Sequence, residues 1–319
     1  MQIENCKLVV IIKDYFSKYS SKINHLDLEL LTSCAIGKPR EFVLAHPEYN
    51  LNKKQEERIK KYAKRQLKHE PIAYILGQKE FYGLDFKVNK HTLIPRPETE
   101  HLVDAVISNL QLVNNKKTII IDIGTGSGNI IISLAKNNEQ RPTTNKKIRY
   151  FATDISKKAL SIAQHNAKKN KVNKKIKFIK SNLLDYFIKN KNCYMFHASC
   201  SMIIVANLPY LSKKIYSSSM PDVKNFEPRS ALLSGIDGLD HYEKLFQQLI
   251  LLRKNCFMFY PPRVDERSPR VEAGVLCFME ISPEQKSKIA KLIKKYFPNA
   301  NIEFQKDLAN KWRIVKLFI

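Results

Sequence analysis

Glycine is scarce in this chain, with 9 in 319 residues. Gly124, Gly126 and Gly128 nonetheless fall within five positions of one another, so that cluster is no accident of composition. Long apolar runs are missing. The best candidates, Leu8–Ile12 and Thr118–Ile121, are cut short by charge or glycine, far below the roughly eighteen residues that a spanning helix needs. No membrane partner is expected. Met1–Lys7 lacks a basic stretch followed by an apolar core, so no signal peptide is read there and a cytoplasmic location is expected. The six cysteines form no C-x-x-C pair, which argues against a zinc or redox motif, and no metal site is expected. Acidic residues are few: 30 Asp and Glu stand against 55 Lys and Arg, a net charge of +25. Lysine far outnumbers arginine and is spread over most of the chain. That excess has two readings: the drift of an AT-rich coding sequence, or a partner with a negative surface such as the ribosome or an RNA-bound protein.

What is present is ordinary globular material, 44% hydrophobic, in a chain long enough for one large domain or two smaller ones. Residues 1–75 read as helices. In Lys54–Lys68 the residues Ile59, Tyr62, Ala63 and Leu67 share one face, opposite lysine and arginine, and Pro71 ends the run. Leu26–Ile36 precedes it, with Gly37 placed as a C-terminal cap. This region carries no catalytic constellation and reads as a helical domain that recognises a partner. Residues 76–100 form a connector. Phe81, Leu84, Phe86 and Val88 around Gly83 suggest a hairpin. Two prolines then hold Ile94–Pro97 extended, and Thr99 is expected to cap the helix that follows.

Residues 101–319 alternate between strand and helix. Strands are expected at Thr118–Ile123, Ile148–Thr153, Ile176–Ile179 and Met202–Ala206, with helices at Asn129–Lys136 and Ser156–Lys169 between them. Val275–Ile281, Asn301–Phe304 and Trp312–Phe318 supply late strands, and Glu284–Tyr296 a last helix. That alternation is the mark of a parallel sheet covered on both faces. Asn137–Lys147, Ile188–Ser199 and Lys254–Glu272 break the rhythm and read as surface insertions.

Asp122-Ile123-Gly124-Thr125-Gly126-Ser127-Gly128 follows a strand and precedes a helix. Glycines there let the backbone turn tightly and approach a nucleoside ligand closely. A nicotinamide dinucleotide is the competing occupant, but residue 129 is Asn and the G-x-G-x-x-G match fails. Asp154, at the end of the next strand, can accept hydrogen bonds from both ribose hydroxyls or cap the helix after it. Asn182, past the third strand, is placed at the adenine ring. The candidate cofactor residues are therefore Asp122, Gly124, Thr125, Gly126, Ser127, Gly128, Asp154, Asn182 and Asn207.

Asn207-Leu208-Pro209-Tyr210 ends the strand Met202–Ala206. An asparagine amide, a backbone carbonyl and an aromatic ring at one rim suit a planar –NH2, as in a glutamine amide or adenine. Two acceptors take its N–H bonds and the ring flanks its plane. Asn207 Oδ1 and the Leu208 carbonyl are expected as the acceptors, with Tyr210 packed on the substrate. All four residues, Asn207, Leu208, Pro209 and Tyr210, are candidate catalytic and substrate-binding residues. Glycine loop and tetrapeptide together point to an S-adenosylmethionine-dependent N-methyltransferase.

At these residues the chain resembles the HemK/PrmC family of protein glutamine N5-methyltransferases. The likeness includes Pro71–Gly77, Glu80–Gly83, Leu93–Glu100, the glycine loop, Asp154 with Ser156, Asn166-Ala167 and Asn207–Tyr210. It continues through Phe226-Glu227-Pro228, Asp237-Gly238-Leu239, Glu280-Ile281 with Gln285, and Lys306-Asp307-Leu308. The resemblance implies a class I methyltransferase fold, Rossmann-like α/β with a mainly parallel seven-stranded sheet, and a small N-terminal helical domain. It implies S-adenosylmethionine as cofactor. The substrate it implies is the glutamine of the Gly-Gly-Gln loop in peptide chain release factors, with the N-terminal helices holding the release-factor body. Two positions depart from the pattern. Leu208 stands where the family has proline, and Met202 where it has aspartate. The form Asn-Leu-Pro-Tyr also occurs in ribosomal RNA adenine N6-dimethyltransferases, the alternative reading, although those lack the Pro-Arg-Pro-Glu-Thr-Glu connector.

Overall fold

The computed structural model describes residues 10–110, 117–140, 147–190, 200–257 and 275–319. These form two compact units. One comprises residues up to Gln78 together with Met220–Phe226, and the other Lys79–Ser219 with Glu227–Ile319.

The first unit is helical. Its main helices are His25–Ile36 and Lys53–Gln66. Both start on an asparagine whose side chain accepts a backbone N–H, Asn24 from Leu26 and Asn52 from Gln55, which satisfies donors that a first turn leaves open. Gly37 ends the first helix in the left-handed region at φ 71°, as the sequence predicts. Ile12, Tyr15, Ile36, Val43, Leu51 and Ile59 make the buried centre. Arg65 ties the second helix to the short helix Ile72–Leu76. It pairs with Glu70 at 2.5 Å and donates to the carbonyls of Tyr74 and Ile75.

A hairpin, β1 (Gln78–Phe81) and β2 (Leu84–Lys87), follows in the chain, and from Lys79 on it belongs to the second unit. Tyr82 and Gly83 both take positive φ at its turn. Seven further strands form one sheet: β3 (Lys117–Ile123), β4 (Lys147–Asp154), β5 (Ile176–Lys180), β6 (Cys200–Ala206), β7 (Val275–Glu280), β8 (Asn301–Lys306) and β9 (Trp312–Phe318). Their spatial order is β5-β4-β3-β6-β7-β9-β8, and only β9 runs against the rest. The central strands read as continuous apolar runs because both faces are covered. Ile119–Ile121 and Ile203–Ala206 have at most 1% of their surface exposed. Each of the isoleucine and valine side chains there contributes about 1.5–3 kcal/mol by leaving water. The expected mainly parallel, seven-stranded sheet is thus present.

The interiors of the three expected insertions, 141–146, 191–199 and 258–272, lie outside the described residues. Their starts prolong helices, to Gln140, Lys189 and Phe257.

The chain leaves β3 towards β4 and returns to β3's other side as β6. Such a reversal opens a crevice at the carboxyl ends of the strands. Ile123 pairs with Thr153 on one side and with Ala206 on the other. Gly124, Asp154 and Asn207 therefore leave the sheet side by side.

Candidate active site

A cavity of about 280 Å³ lies in that crevice. Gly124, Thr125, Gly126, Ser127, Asp154, Asn182, Asn207, Leu208 and Pro209 line it. Three of the sequence candidates, Asp122, Gly128 and Tyr210, do not.

The glycine loop is pulled onto β4. The N–H groups of Gly124 and Thr125 both donate to the Thr153 carbonyl at 2.9 Å. Gly124, Gly126 and Gly128 all sit at positive φ, where a Cβ is strained. At Gly124 a Cβ would also come within 3.2 Å of Leu208 Cδ2. The glycine thus keeps loop and tetrapeptide in contact, with bare backbone facing the cavity. Gly128 does a different job. A Cβ there would lie 2.8 Å from Ile132 Cδ1 and 3.1 Å from Ala163 Cβ, so it permits close packing of the helices Asn129–Gln140 and Lys157–Lys169 behind the loop. Asn166 locks this corner, donating to the carbonyls of Ser127 and Lys87 and accepting from the Lys87 N–H.

Asp154 spans the cavity wall. One carboxylate oxygen accepts from the Gly126 N–H at 3.0 Å and the other from the Ser156 N–H at 2.8 Å. Each oxygen keeps lone pairs for a ligand hydroxyl. Ser156 itself caps the following helix, so the cap role falls to it and not to Asp154. Asn182 reaches the cavity from a turn that Gln248 braces. Gln248 donates to the Asn182 carbonyl and to Asp185, and accepts from the Leu184 N–H. A bare loop, a carboxylate with spare acceptors and the apolar side chains of Ile155 and Leu183 fit the ribose and adenine of a nucleoside cofactor.

Asp122 lies behind the loop, fully buried, accepting from the Thr125 hydroxyl at 2.6 Å. Burial, with the charge of Asp154 adding, pushes its carboxyl up to about 7; the bonds from Thr125 and from the Ile131 backbone pull the other way. The unfolded value is about 4, so between about pH 4 and 7 the folded chain holds a proton that the unfolded chain has lost. Stability therefore falls as pH rises through that window, by about 4 kcal/mol in all. Asp154 and Glu280 are raised as well, so the test is a difference. Asp122→Asn is expected to melt higher than the wild type at pH 8 and to lose that advantage at pH 4.5. A gap that stays constant with pH would contradict this account of Asp122.

The acceptor side is built on a buried network. Asn207 Nδ2 donates to Thr99 Oγ1 at 3.1 Å, and Thr99 Oγ1 donates to Glu280 Oε2 at 2.7 Å. Thr99 is not the helix cap that the sequence suggests. It closes a 3₁₀ turn, Pro97–Thr99, that runs directly into the helix Glu100–Leu110, and its hydroxyl leaves that turn for β7. Tyr210 joins the same network. Its ring does not line the cavity, and its hydroxyl donates to Glu280 Oε1 at 3.2 Å. Burial and the Glu280 charge raise its pKa, so it stays protonated.

The two departures in sequence have local explanations. Met202 is a core residue at 2% exposure. Leu208 sinks its side chain into the same core. Tyr242 is buried in that core as well, and its hydroxyl donates to the Glu280 carbonyl. Arg96 pairs with the buried Glu227, whose other oxygen accepts from the Ile94 N–H at 3.2 Å. The Arg-Pro-Glu-Thr-Glu and Phe-Glu-Pro segments are thereby joined at the cavity.

Comparison with known proteins gives the family. The model of the PrmC N-terminal domain matches residues 10–77, and a methyltransferase domain model matches residues 114–217. A release factor glutamine methyltransferase of Coxiella burnetii is 40% identical over 69% of this chain and 71% of its own length. One of Clostridium botulinum is 30% identical over 91% of this chain and 90% of its own. The chain belongs to the release factor glutamine methyltransferase family. It also matches a bifunctional methyltransferase of Rickettsia prowazekii, 32% identical over 99% of this chain, and spans 58% of that protein. Among solved structures, the hMettl16 catalytic domain in complex with a MAT2A 3'UTR hairpin covers 74% of this chain and 76% of its own, with a TM-score of 0.50 and 14% identity. That likeness is one of fold, and the fold is that of class I methyltransferases. The methyl donor is S-adenosylmethionine.

Proposed function

We propose that the chain methylates the side-chain amide nitrogen of the glutamine in the Gly-Gly-Gln loop of peptide chain release factors. The observation that carries this reading is the register of β4, β3 and β6, which delivers Asp154, the glycine loop and Asn207 to one cavity. Bound S-adenosylmethionine supplies an electrophilic methyl group on a sulfonium. Asp154 accepts from the ribose hydroxyls, the loop backbone faces the cofactor, and Asn182 meets the adenine. Asn207 Oδ1 and the Leu208 carbonyl accept the two N–H bonds of the substrate amide. Held so, its nitrogen points along one line, and positive charge growing on it meets two fixed acceptor dipoles. No strong base is required, because the proton leaves after the nitrogen has reacted. Action in the cytoplasm follows from that substrate, and no described helix is long and apolar enough to cross a membrane.

The test incubates the purified protein with labelled S-adenosylmethionine and one of three acceptors. These are a release factor, the same factor with asparagine in place of the loop glutamine, and bare ribosomal RNA. Label is expected on the first alone. Label on RNA but not on the release factor would replace this reading with the adenine one.

A further inference from the structure

We propose that Thr99 and Glu280 are a positioning pair that decides which end of the Asn207 amide meets the substrate. The inference rests on the reading of Asn207 as an acceptor for a substrate –NH2.

The logic is one of proton counting. A threonine hydroxyl has one proton and two lone pairs. Thr99 gives its proton to Glu280 Oε2 at 2.7 Å. Towards Asn207 it can therefore only accept, and the amide turns its Nδ2 to it at 3.1 Å. Oδ1 is then the end left for the cavity, which Asn207 lines. Without Thr99's demand for a donor, both amide orientations are open. The flipped one sets an –NH2 against the substrate's –NH2, donor against donor.

Glu280 is well placed to impose this choice. It is 1% exposed, at the end of β7, and both its oxygens receive hydroxyl protons, from Thr99 and from Tyr210. Its backbone carbonyl takes the Tyr242 hydroxyl. The charges that face it are those of Arg313 and Glu98. A buried carboxylate whose side-chain partners, among the described residues, are two hydroxyls and no cation is costly to the fold, which points to a task in the site. Thr99 is held to its side of the pair by the turn Pro97–Thr99, and Arg96 fastens that turn to Glu227. The connector segment is thus aimed at the amide across 108 residues of chain.

The experiment measures single-turnover methylation of a release factor, together with cofactor binding by titration of S-adenosylhomocysteine. Thr99→Val keeps the shape and removes the hydroxyl. It is expected to lower the rate of methyl transfer on the order of 30-fold, with cofactor Kd and release-factor KM each within about threefold of wild type. Thr99→Ser restores the hydroxyl and is expected to stay within about threefold of wild type. A purely structural threonine would act independently of Asn207, whereas a positioning one acts only through it. In the Asn207→Ala background, Thr99→Val is therefore expected to cost less than about twofold more. An equal loss in both backgrounds would overturn the proposal. So would a Thr99→Val enzyme at wild-type rate, or one that has lost cofactor binding. Either result would leave the glutamine reading intact as long as the wild type labels the release factor. No labelling by the wild type would bring down both.

Discussion

Asn207→Ala is expected to reduce kcat on the release factor by about 10²–10³-fold while S-adenosylhomocysteine binds with a Kd within about twofold of wild type. The size follows from what one fixed acceptor contributes when it faces charge that develops only during transfer. The split follows from geometry. On the proposed reading the glycine loop and Asp154, at the ends of β3 and β4, form the cofactor side, whereas Asn207 follows β6 and is braced by Thr99. Its loss removes an acceptor for the substrate amide and leaves the cofactor's cradle in place. Rapid-quench kinetics and calorimetric titration check the two halves separately. A weakened Kd with unchanged kcat would assign Asn207 to the cofactor instead.

Gly238→Ala is expected to cost about 2–4 kcal/mol of stability and to lower activity at least tenfold. Gly238 sits at φ +84°, and a Cβ there would fall 2.2 Å from the Tyr210 carbonyl oxygen and 2.5 Å from Gln285 Nε2. Gln285 is the clasp of this corner. Its amide donates to the carbonyls of Tyr210, Asp237 and Gly238 at 2.9, 3.3 and 3.1 Å. An alanine must push either the clasp or the end of the tetrapeptide aside, and the acceptor pair at Asn207 and Leu208 shifts with it. Gly37→Ala is the control. Its φ of +71° carries the same strain, but nothing lies within 4 Å of a Cβ there. It is expected to cost only about 1–2 kcal/mol and to leave kcat unchanged. Thermal melts and initial rates read both variants. Equal effects on rate at the two positions would contradict the role given to the clasp.

The strands of the sheet were legible because parallel strands covered on both faces become unbroken apolar runs, as in Ile119–Ile121 and Ile203–Ala206. The loop and tetrapeptide were legible because their chemistry is local: glycines at positive φ, and an amide followed directly by a carbonyl. Thr99 was misread for the same reason. A threonine before a helix looks like a cap, and nothing nearby reveals that its hydroxyl bonds a carboxylate 181 residues later. The hydroxyl partner of Tyr210 could not be read from the sequence either, because it is again Glu280, 70 residues away. Gln248 under the Asn182 turn, and Tyr242 on the Glu280 carbonyl, are of the same kind. Hydrogen bonds between distant positions leave no period and no spacing for a single sequence to show.

The most direct test is a crystal structure of the chain with S-adenosylhomocysteine and a peptide carrying the Gly-Gly-Gln loop. The glutamine side-chain nitrogen should lie about 3 Å from both Asn207 Oδ1 and the Leu208 carbonyl oxygen, and it should face the cofactor's sulfur. A sulfur atom turned away from Asn207, or a glutamine amide seated elsewhere than between those two acceptors, would contradict it.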